Sequence, residues 1–256
     1  MRMSDDFVSV RLLAVCASAP DAELLRQGAA HAANKVIFSH VANAAAARDA
    51  LAEGNIDVVL VESTLAERDM KEVFKTARAA PNPPGIVLLA PSSQEAAELV
   101  AAGVSDPLVA RPTKLADAKA LIESCLHLKV PSRVLVVDDS STMRSIVRKI
   151  LGGCRFPLEI AEADDGIDAL KQIGAGKFDF VLLDYNMPGL SGIEMLPQIK
   201  GQHPRLVVVM MTSADDSALA ARALAAGAGG FLKKPFYASD VDTILFASYR
   251  LRPPAP

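Results

Sequence analysis

The chain has 256 residues, 51% of them apolar, and a formal net charge of −3 at pH 7. This length allows one large or two small domains with a buried core, and the apolar fraction excludes a disordered chain. The charge excludes sequence-independent nucleic-acid binding, because no basic excess is available to neutralise phosphates.

Short apolar runs rich in Val, Ile and Leu recur along the chain, and each ends at a polar or turn residue. Strands of a parallel sheet, which are buried on both faces, have this pattern. In chain order, the predicted strands are Val10–Val15, Val58–Val61, Ile86–Leu89, Val134–Val137, Phe180–Leu183 and Val207–Met211.

Amphipathic stretches with helical periodicity lie between these runs. The predicted helices are Ala42–Glu53, Glu67–Ala79, Ser140–Leu151, Asp165–Ile173 and Asp216–Ala226. Alternation of strand and helix implies right-handed crossovers and a parallel sheet covered on both faces, so the sequence predicts an α/β fold.

The order of these elements repeats, with matching segments offset by 122 to 124 residues. The matches are Arg11–Val15 with Arg133–Val137, Ile56–Glu62 with Phe178–Asp184, Ala101–Gly103 with Ala225–Gly227, and Arg111-Pro112 with Lys234-Pro235. A near-constant offset indicates two copies of one domain, each with five strands and five helices. Pro131 cannot continue a helix, so we predict domains at residues 1–130 and 131–256, the latter ending in a Pro-rich tail.

The cysteines and the N-terminal sequence bear on the cellular compartment. Cys16, Cys125 and Cys154 are far apart and form no C-x-x-C pair, which argues against a structural zinc site and a disulfide framework. The first six residues lack the apolar segment of a signal peptide, and no apolar run approaches the about 18 residues of a membrane span. We expect a cytoplasmic protein with reduced thiols and no membrane insertion.

Polar side chains stand at the ends of four predicted strands in the second half. Asp138 and Asp139 follow the first strand, Asp184 ends the third, Thr212 follows the fourth, and Lys234 follows the fifth. Ligands of open parallel sheets collect at the carboxyl ends of the strands. We therefore expect three carboxylates, a hydroxyl and an ammonium to converge there.

Clustered carboxylates repel one another, and a Mg²⁺ ion would relieve the repulsion. A carboxylate beside Mg²⁺ can attack a phosphoryl group and form an acyl phosphate, with Lys234 spreading the charge of the transition state. Taken singly, each residue has a plainer interpretation: Asp138 or Asp139 as a helix cap, Asp184 as a loop carboxylate, Thr212 as a strand-end hydroxyl. Their positions at successive strand ends favour a site.

These motifs resemble the response-regulator receiver family in its CheY-like form. The matching segments are Val-Val-Asp138-Asp139-Ser, Leu-Leu-Asp184-Tyr-Asn-Met-Pro188-Gly-Leu-Ser-Gly192, Met-Thr212-Ser and Phe231-Leu-Lys-Lys234-Pro235-Phe. The resemblance covers about Arg133 to Tyr249. It implies two flavodoxin-like (βα)5 receiver domains, each a five-stranded parallel sheet with strand order 2-1-3-4-5.

By this resemblance, Asp184 accepts a phosphoryl group from a sensor histidine kinase or a phosphotransfer protein. Asp139 and Asp184 would bind Mg²⁺ with the backbone carbonyl of Asn186, and Asp138 would support the metal through water.

The resemblance also implies a switch. Lys234, joined to Pro235 by a cis peptide bond, would pair with the phosphoryl group. Thr212 would move toward it and Phe231 would rotate inward, reshaping the face made by the fourth helix, fifth strand and fifth helix. Phe231 stands where the family commonly has tyrosine, so a switch hydroxyl is not expected.

The first half has the same order of elements without the same chemistry. The counterparts of the five site positions are Cys16, Ala17, Glu62, Ala90 and Arg111. We expect a degenerate receiver that is not phosphorylated and could serve as a docking or homodimerisation surface. Glu62 is either a remnant at a strand end or reaches Arg111 and mimics a phosphorylated state.

The leading functional prediction is a response regulator that acts by binding another protein, without a DNA-binding or enzymatic output domain. Such a chain is not an enzyme beyond assisting its own phosphotransfer and dephosphorylation. Two alternatives stay open: a phosphate sink or relay intermediate and, more remotely, an aspartate-dependent phosphohydrolase.

Overall fold

A computed structural model describes residues 9–91, 94, 107–213 and 217–251. These residues divide into two compact units. The first contains residues 9–130 together with 249–251, and the second contains Pro131–Ser248. We call them the first and second domains.

The first domain is a five-stranded parallel sheet with the strand order β2-β1-β3-β4-β5. Its elements are β1 (Val10–Val15), α1 (Ala19–Ala30), β2 (Val36–Val41), α2 (Ala44–Ala52), β3 (Val58–Glu62), α3 (Glu67–Ala79), β4 (Gly85–Ala90), β5 (Leu108–Ala110) and α4 (Leu115–Leu126). The helix expected between β4 and β5, with its repeat segment Ala101–Gly103, lies outside the described residues.

The second domain repeats this topology. Its elements are β6 (Ser132–Val137), α5 (Ser141–Leu151), β7 (Leu158–Ala163), α6 (Gly166–Ala175), β8 (Phe180–Asp184), α7 (Gly192–Gln202), β9 (Val207–Thr212), α8 (Ser217–Ala225), β10 (Gly230–Lys233) and α9 (Ala238–Ser248). The strand order is β7-β6-β8-β9-β10, with every pairing parallel. Both sheets therefore have the order 2-1-3-4-5, and the fold prediction is confirmed.

The central strand of the second domain is buried along its whole length. On one face, Val181 and Leu183 belong to a core with Ile173 of α6 and Met195 of α7. On the other face, Leu182 borders an apolar space together with residues of α5 and α9. Since successive side chains of a strand alternate between faces, a strand covered by helices on both sides is apolar throughout.

Serine caps begin the helices that follow the first strand of each domain. The Ser18 hydroxyl accepts a hydrogen bond from the amide of Asp21, and the Ser140 hydroxyl accepts one from the amide of Met143, both at 3.3 Å. Capping of this kind satisfies amides that have no partner inside the helix. The two strand-to-helix connections are therefore built alike, so the residues between strand and cap are equivalent in the two domains.

No helix in the described part of the chain is long and apolar enough to cross a membrane.

Candidate functional site

Backbone pairing brings four strand ends of the second domain to one edge of the sheet. Asp184 is the last residue of β8 and lies opposite Met211, and Thr212 is the last residue of β9 and lies opposite Lys233. The ladder continues beyond the strands, because the Lys234 amide donates to the Thr212 carbonyl at 2.7 Å. The register therefore fixes which side chains meet at this edge.

Lys234 joins the carboxylates of two strand ends. Its Nζ lies 2.7 Å from Oδ2 of Asp138 and 2.6 Å from Oδ1 of Asp184. The two acids are 2% and 6% exposed. We call these three residues the lysine cluster. Charges this well shielded from water interact strongly, so a single ammonium holds together two carboxylates that would otherwise repel.

Further hydrogen bonds fix both carboxylates. Oδ1 of Asp138 accepts from the Ser140 amide at 3.0 Å, and Oδ2 of Asp184 accepts from the Asn186 amide at 3.0 Å. Each acid therefore has one oxygen on the backbone that follows it and the other on Lys234. This leaves little rotational freedom, so the oxygens that face the site are preorganised.

Glycine allows the α7 terminus to approach Asp184. A Cβ atom on Gly192 would lie 2.1 Å from the carbonyl oxygen of Asp184, which no side chain can tolerate. The Gly192 amide donates to the Tyr185 carbonyl at 3.2 Å. Gly189, in the connecting loop, has a φ of 79°, a left-handed conformation that favours glycine. These two glycines let the loop after Asp184 fold tightly beside the site.

The remaining predicted site residues lie around the cluster. Thr212 is 1% exposed at the end of β9, and Phe231 is half-buried against the core. The peptide bond between Lys234 and Pro235 is cis, as the resemblance implies. Asp139 is exposed.

The charges of the lysine cluster do not balance, and the pKa values reflect this. Burial raises the pKa of Asp184 and the neighbouring Asp138 carboxylate adds to the effect, so that Lys234 does not bring it back to its ordinary value. Burial disfavours the charged form of Lys234, but hydrogen bonds and charge from both acids outweigh it and raise its pKa. One ammonium between two carboxylates leaves a net negative site that attracts cations.

The donor set of this edge suits a small hard cation. Among the described residues, no three His, Cys, Asp or Glu side chains form a metal-binding group. Mg²⁺ commonly uses only one or two protein carboxylates and completes its octahedron with water and other oxygens. Asp138 and Asp184 provide two carboxylates at one edge of the sheet, both hydrogen-bonded to Lys234 Nζ. The residues present therefore fit Mg²⁺ in number and in chemistry.

The first domain forms a related cluster from other residues. Arg111 NH1 lies 3.2 Å from Oε1 of Glu62, as one interpretation of the sequence proposes, and 2.8 Å from Oδ2 of Asp21. Glu62 also accepts from the Ala17 amide at 3.3 Å. We call Glu62, Asp21 and Arg111 the arginine cluster. Its second acid, Asp21, comes from the first turn of α1 rather than from the end of β1.

The other substituted positions of the first domain have no acid or hydroxyl. Cys16 stands where Asp138 stands in the second domain, and burial together with the charges of Glu62 and Asp21 raises the pKa of its thiol to about 11. Ala90, the counterpart of Thr212, is buried and accepts from the Arg111 amide through its carbonyl. A neutral thiol and a methyl group cannot replace a metal-binding acid and a phosphate-binding hydroxyl.

Sequence reasoning missed Asp21, Arg144, whose NH1 donates to the main-chain carbonyl of Asp138 at 2.8 Å, and Glu162, which accepts from Arg144. Asp21 has a plain local explanation as an acid in a first helical turn, which complements the helix dipole. Arg144 and Glu162 have ordinary positions on a helix and an edge strand. No spacing rule links these residues to the strand ends, so only the folded chain shows the contacts.

The comparisons with known proteins match the second domain. The family model for the response regulator receiver domain matches residues 134–246. Chemotaxis protein CheY-3 of Vibrio cholerae serotype O1 is 41% identical over 111 residues, which are 43% of this chain and 85% of the relative. Chemotaxis protein CheY of Pseudomonas aeruginosa is 40% identical over 108 residues, 41% of this chain and 86% of the relative.

A solved structure resembles the chain over both domains. It is that of a probable two-component system response regulator/GGDEF domain protein, with a TM-score of 0.50 and 24% identity, covering 94% of this chain and 98% of the other. This likeness concerns the fold. The identities above and the receiver model supply the family: the chain belongs to the response regulator receiver family through its second domain.

Proposed function

We propose that Asp184 accepts a phosphoryl group from a phosphohistidine of a sensor histidine kinase or phosphotransfer protein. The observation that supports this most directly is the lysine cluster, in which a buried strand-end carboxylate lies 2.6 Å from an ammonium. A nucleophilic carboxylate needs a cation to screen its charge from the incoming phosphoryl oxygens. Lys234 would supply this cation.

Asp139 and Asp184 would bind Mg²⁺ together with the backbone carbonyl of Asn186, and Asp138 would support the metal through water. When bound, the ion would neutralise charge on the phosphoryl oxygens during transfer. Asp138 and Asp184 are held by the amides of Ser140 and Asn186, so their oxygens stay oriented when Lys234 turns toward the phosphoryl group. Thr212, buried at the end of β9, would donate its hydroxyl to that group.

The output of this chemistry is a change in protein binding. An acyl phosphate at Asp184 adds a charge of about −1.5 to −2, which draws Lys234 and Thr212 toward it and biases the half-buried Phe231. These residues border α8, β10 and α9. That face exposes Leu224 and Tyr237 and has a groove of about 410 Å³ beside Phe231 and Phe236. Apolar side chains around a groove suit a protein partner.

Acetyl phosphate with Mg²⁺ tests the acceptor directly. The full chain should gain one phosphoryl group by intact mass, and Asp184→Asn should gain none. Asp164→Asn, at an exposed aspartate, is the matched control and should be labelled like the parent. Labelling of Asp184→Asn at the parent level would place the acceptor elsewhere and refute the proposal.

Beryllofluoride with Mg²⁺ tests the switch. Amide hydrogen exchange in α8, β10 and α9 should change when the parent chain binds this phosphoryl mimic, and should not change in Asp184→Asn. Exchange in the first domain should stay constant in both proteins, because the arginine cluster has no acceptor to modify. An unchanged α8–β10–α9 face in the parent would rule out the proposed output.

A further inference from the structure

Arg144 contacts the backbone of Asp138, one of the acids of the proposed site. It is the fourth residue of α5, and helical side chains tilt toward the N-terminus of their helix. The guanidinium therefore reaches back to the strand end, where NH1 donates to the main-chain carbonyl of Asp138 at 2.8 Å. Only 16% of the Arg144 side chain is exposed.

Glu162 of β7 pairs with this guanidinium and with that of Arg148. Nε of Arg144 donates to Oε2 of Glu162 at 3.1 Å, and Nε of Arg148 donates to Oε1 of Glu162 at 2.8 Å. The hydrogen bond from Arg148, aided by Arg144, lowers the pKa of Glu162, so this carboxylate is charged at neutral pH. One carboxylate therefore offsets one of the two guanidinium charges, which reduces the positive charge that Arg144 brings beside the cation site.

The contact fixes the peptide group between Asp138 and Asp139. A peptide group is planar, so holding the Asp138 carbonyl also sets the direction of the Asp139 amide and Cα. Asp138 is then fixed at three points: its carbonyl on Arg144, Oδ1 on the Ser140 amide and Oδ2 on Lys234. Asp139, which is exposed, depends on the backbone before it for its orientation.

The first domain holds the equivalent carbonyl in a different way. Nε2 of His40 donates to the main-chain carbonyl of Cys16 at 2.8 Å. His40 is the fifth residue of β2, as Glu162 is the fifth residue of β7, and Ala22 stands at the position of Arg144. Both domains thus satisfy this carbonyl, but the arginine–glutamate contact is found beside the acid pair and the histidine is found where the acids are absent.

We propose that Arg144, held by Glu162, is a positioning residue for the cation site: it orients the Asp138–Asp139 peptide so that both carboxylates serve one Mg²⁺ ion. The inference rests on the proposed function, because it assigns Arg144 a role at that same site. Supporting residues behind the ligands of a metal commonly change its affinity about 10- to 100-fold.

The direction in which the Mg²⁺ affinity changes on removal of Arg144 distinguishes a positioning role from a purely electrostatic one. If Arg144 acted only as a nearby positive charge, its removal would tighten Mg²⁺ binding. If it acts through the carbonyl, its removal weakens binding although a positive charge is lost. Arg148 is the matched control, because it pairs with the same Glu162 but has no contact with the Asp138 carbonyl among its hydrogen bonds.

Calorimetric titration of the full chain with MgCl2 tests the inference. We expect Arg144→Ala to raise the Kd for Mg²⁺ about tenfold and Arg148→Ala to leave it unchanged. Arg144→Lys, which keeps a donor for the carbonyl, should recover part of the affinity. The carbonyl ¹³C shift of Asp138 should change in Arg144→Ala and not in Arg148→Ala.

Thermal unfolding of the same proteins without Mg²⁺ measures any loss of folding stability separately from the loss of Mg²⁺ affinity. Equal Mg²⁺ affinity in Arg144→Ala and Arg148→Ala, or tighter binding in Arg144→Ala, overturns the inference while the proposed function stands, whatever happens to the melting temperature. If Arg144→Ala does not fold, the comparison of Arg144→Lys with Arg148→Lys decides in the same way. Absence of Mg²⁺ binding by the parent chain overturns the proposed function and the inference together.

Discussion

The two domains share one topology and differ in how they balance charge at the same sheet edge. The second domain places one lysine between Asp138 and Asp184, both at strand ends. The first domain places one arginine between Glu62, at a strand end, and Asp21, on a helix. The Lys234 side chain is 13% exposed, whereas the Arg111 side chain is 36% exposed.

This difference shows that the fold supplies a position and the side chains supply the chemistry. In the second domain two shielded carboxylates compete for one ammonium, and Asp184 has a raised pKa. In the first domain the longer acid and the longer base meet directly, and Cys16, whose thiol has a raised pKa, stands at the position of Asp138. Each cluster has one cation between two carboxylates, so the difference lies in which positions supply the acids and in how far the cation is shielded from water.

The largest expected effect comes from removing the cation of the lysine cluster. Lys234→Ala leaves two buried carboxylates facing each other and should lower the free energy of unfolding of the second domain by about 3 kcal/mol in EDTA. Mg²⁺ should restore part of this loss, because it replaces the missing charge. Chemical denaturation with and without Mg²⁺ measures both effects.

Lys171→Ala, at an exposed lysine of α6, is the control and should leave the free energy of unfolding unchanged with and without Mg²⁺. A Lys234→Ala protein as stable as the parent would mean that the two carboxylates are better solvated than their burial indicates.

A smaller effect is expected in the first domain. Arg111→Ala should lower the free energy of unfolding of the first domain by about 1 kcal/mol. The effect is small because the arginine is partly solvated and Glu62 keeps its hydrogen bond from the Ala17 amide. Mg²⁺ should not restore the loss, because this domain has no acid pair. The same denaturation series tests this, and rescue of Arg111→Ala by Mg²⁺ would contradict the contrast drawn between the domains.

The smallest effect is a gain in stability from Asp184→Asn. Burial raises the pKa of Asp184 in the folded chain, so at neutral pH folding imposes a penalty on the ionised carboxylate. Removing that charge should raise the melting temperature of the second domain by a few degrees in EDTA. As the pH falls through the raised pKa, the parent carboxyl becomes protonated and the gain should disappear.

Melting curves at several pH values measure this gain. Glu62→Gln, the corresponding change in the first domain, should lower stability instead, because it breaks an ion pair rather than relieving a repulsion. A gain in both variants would show that the two clusters are electrostatically alike.

Much of the architecture is predictable because the central strands are apolar on both faces. The run Val58–Val61 extends by one residue to Glu62, and Phe180–Leu183 extends to Asp184. The edge strands β2 and β7 were not identified as apolar runs, because their exposed faces bear polar side chains such as His40 and Glu162. Helix α7 was also not identified, since Pro197 interrupts its pattern.

The sequence by itself determined the repeated α/β order, the positions of the strand-end residues and the loss of the acid pair in the first domain, because these follow from local periodicity and residue type. Only the tertiary structure decided which groups meet. Lys234 contacts Asp138 and Asp184, Arg111 recruits Asp21, and Arg144 reaches the Asp138 carbonyl. Such contacts join residues far apart in the chain or on different elements, and they depend on strand register and helix direction.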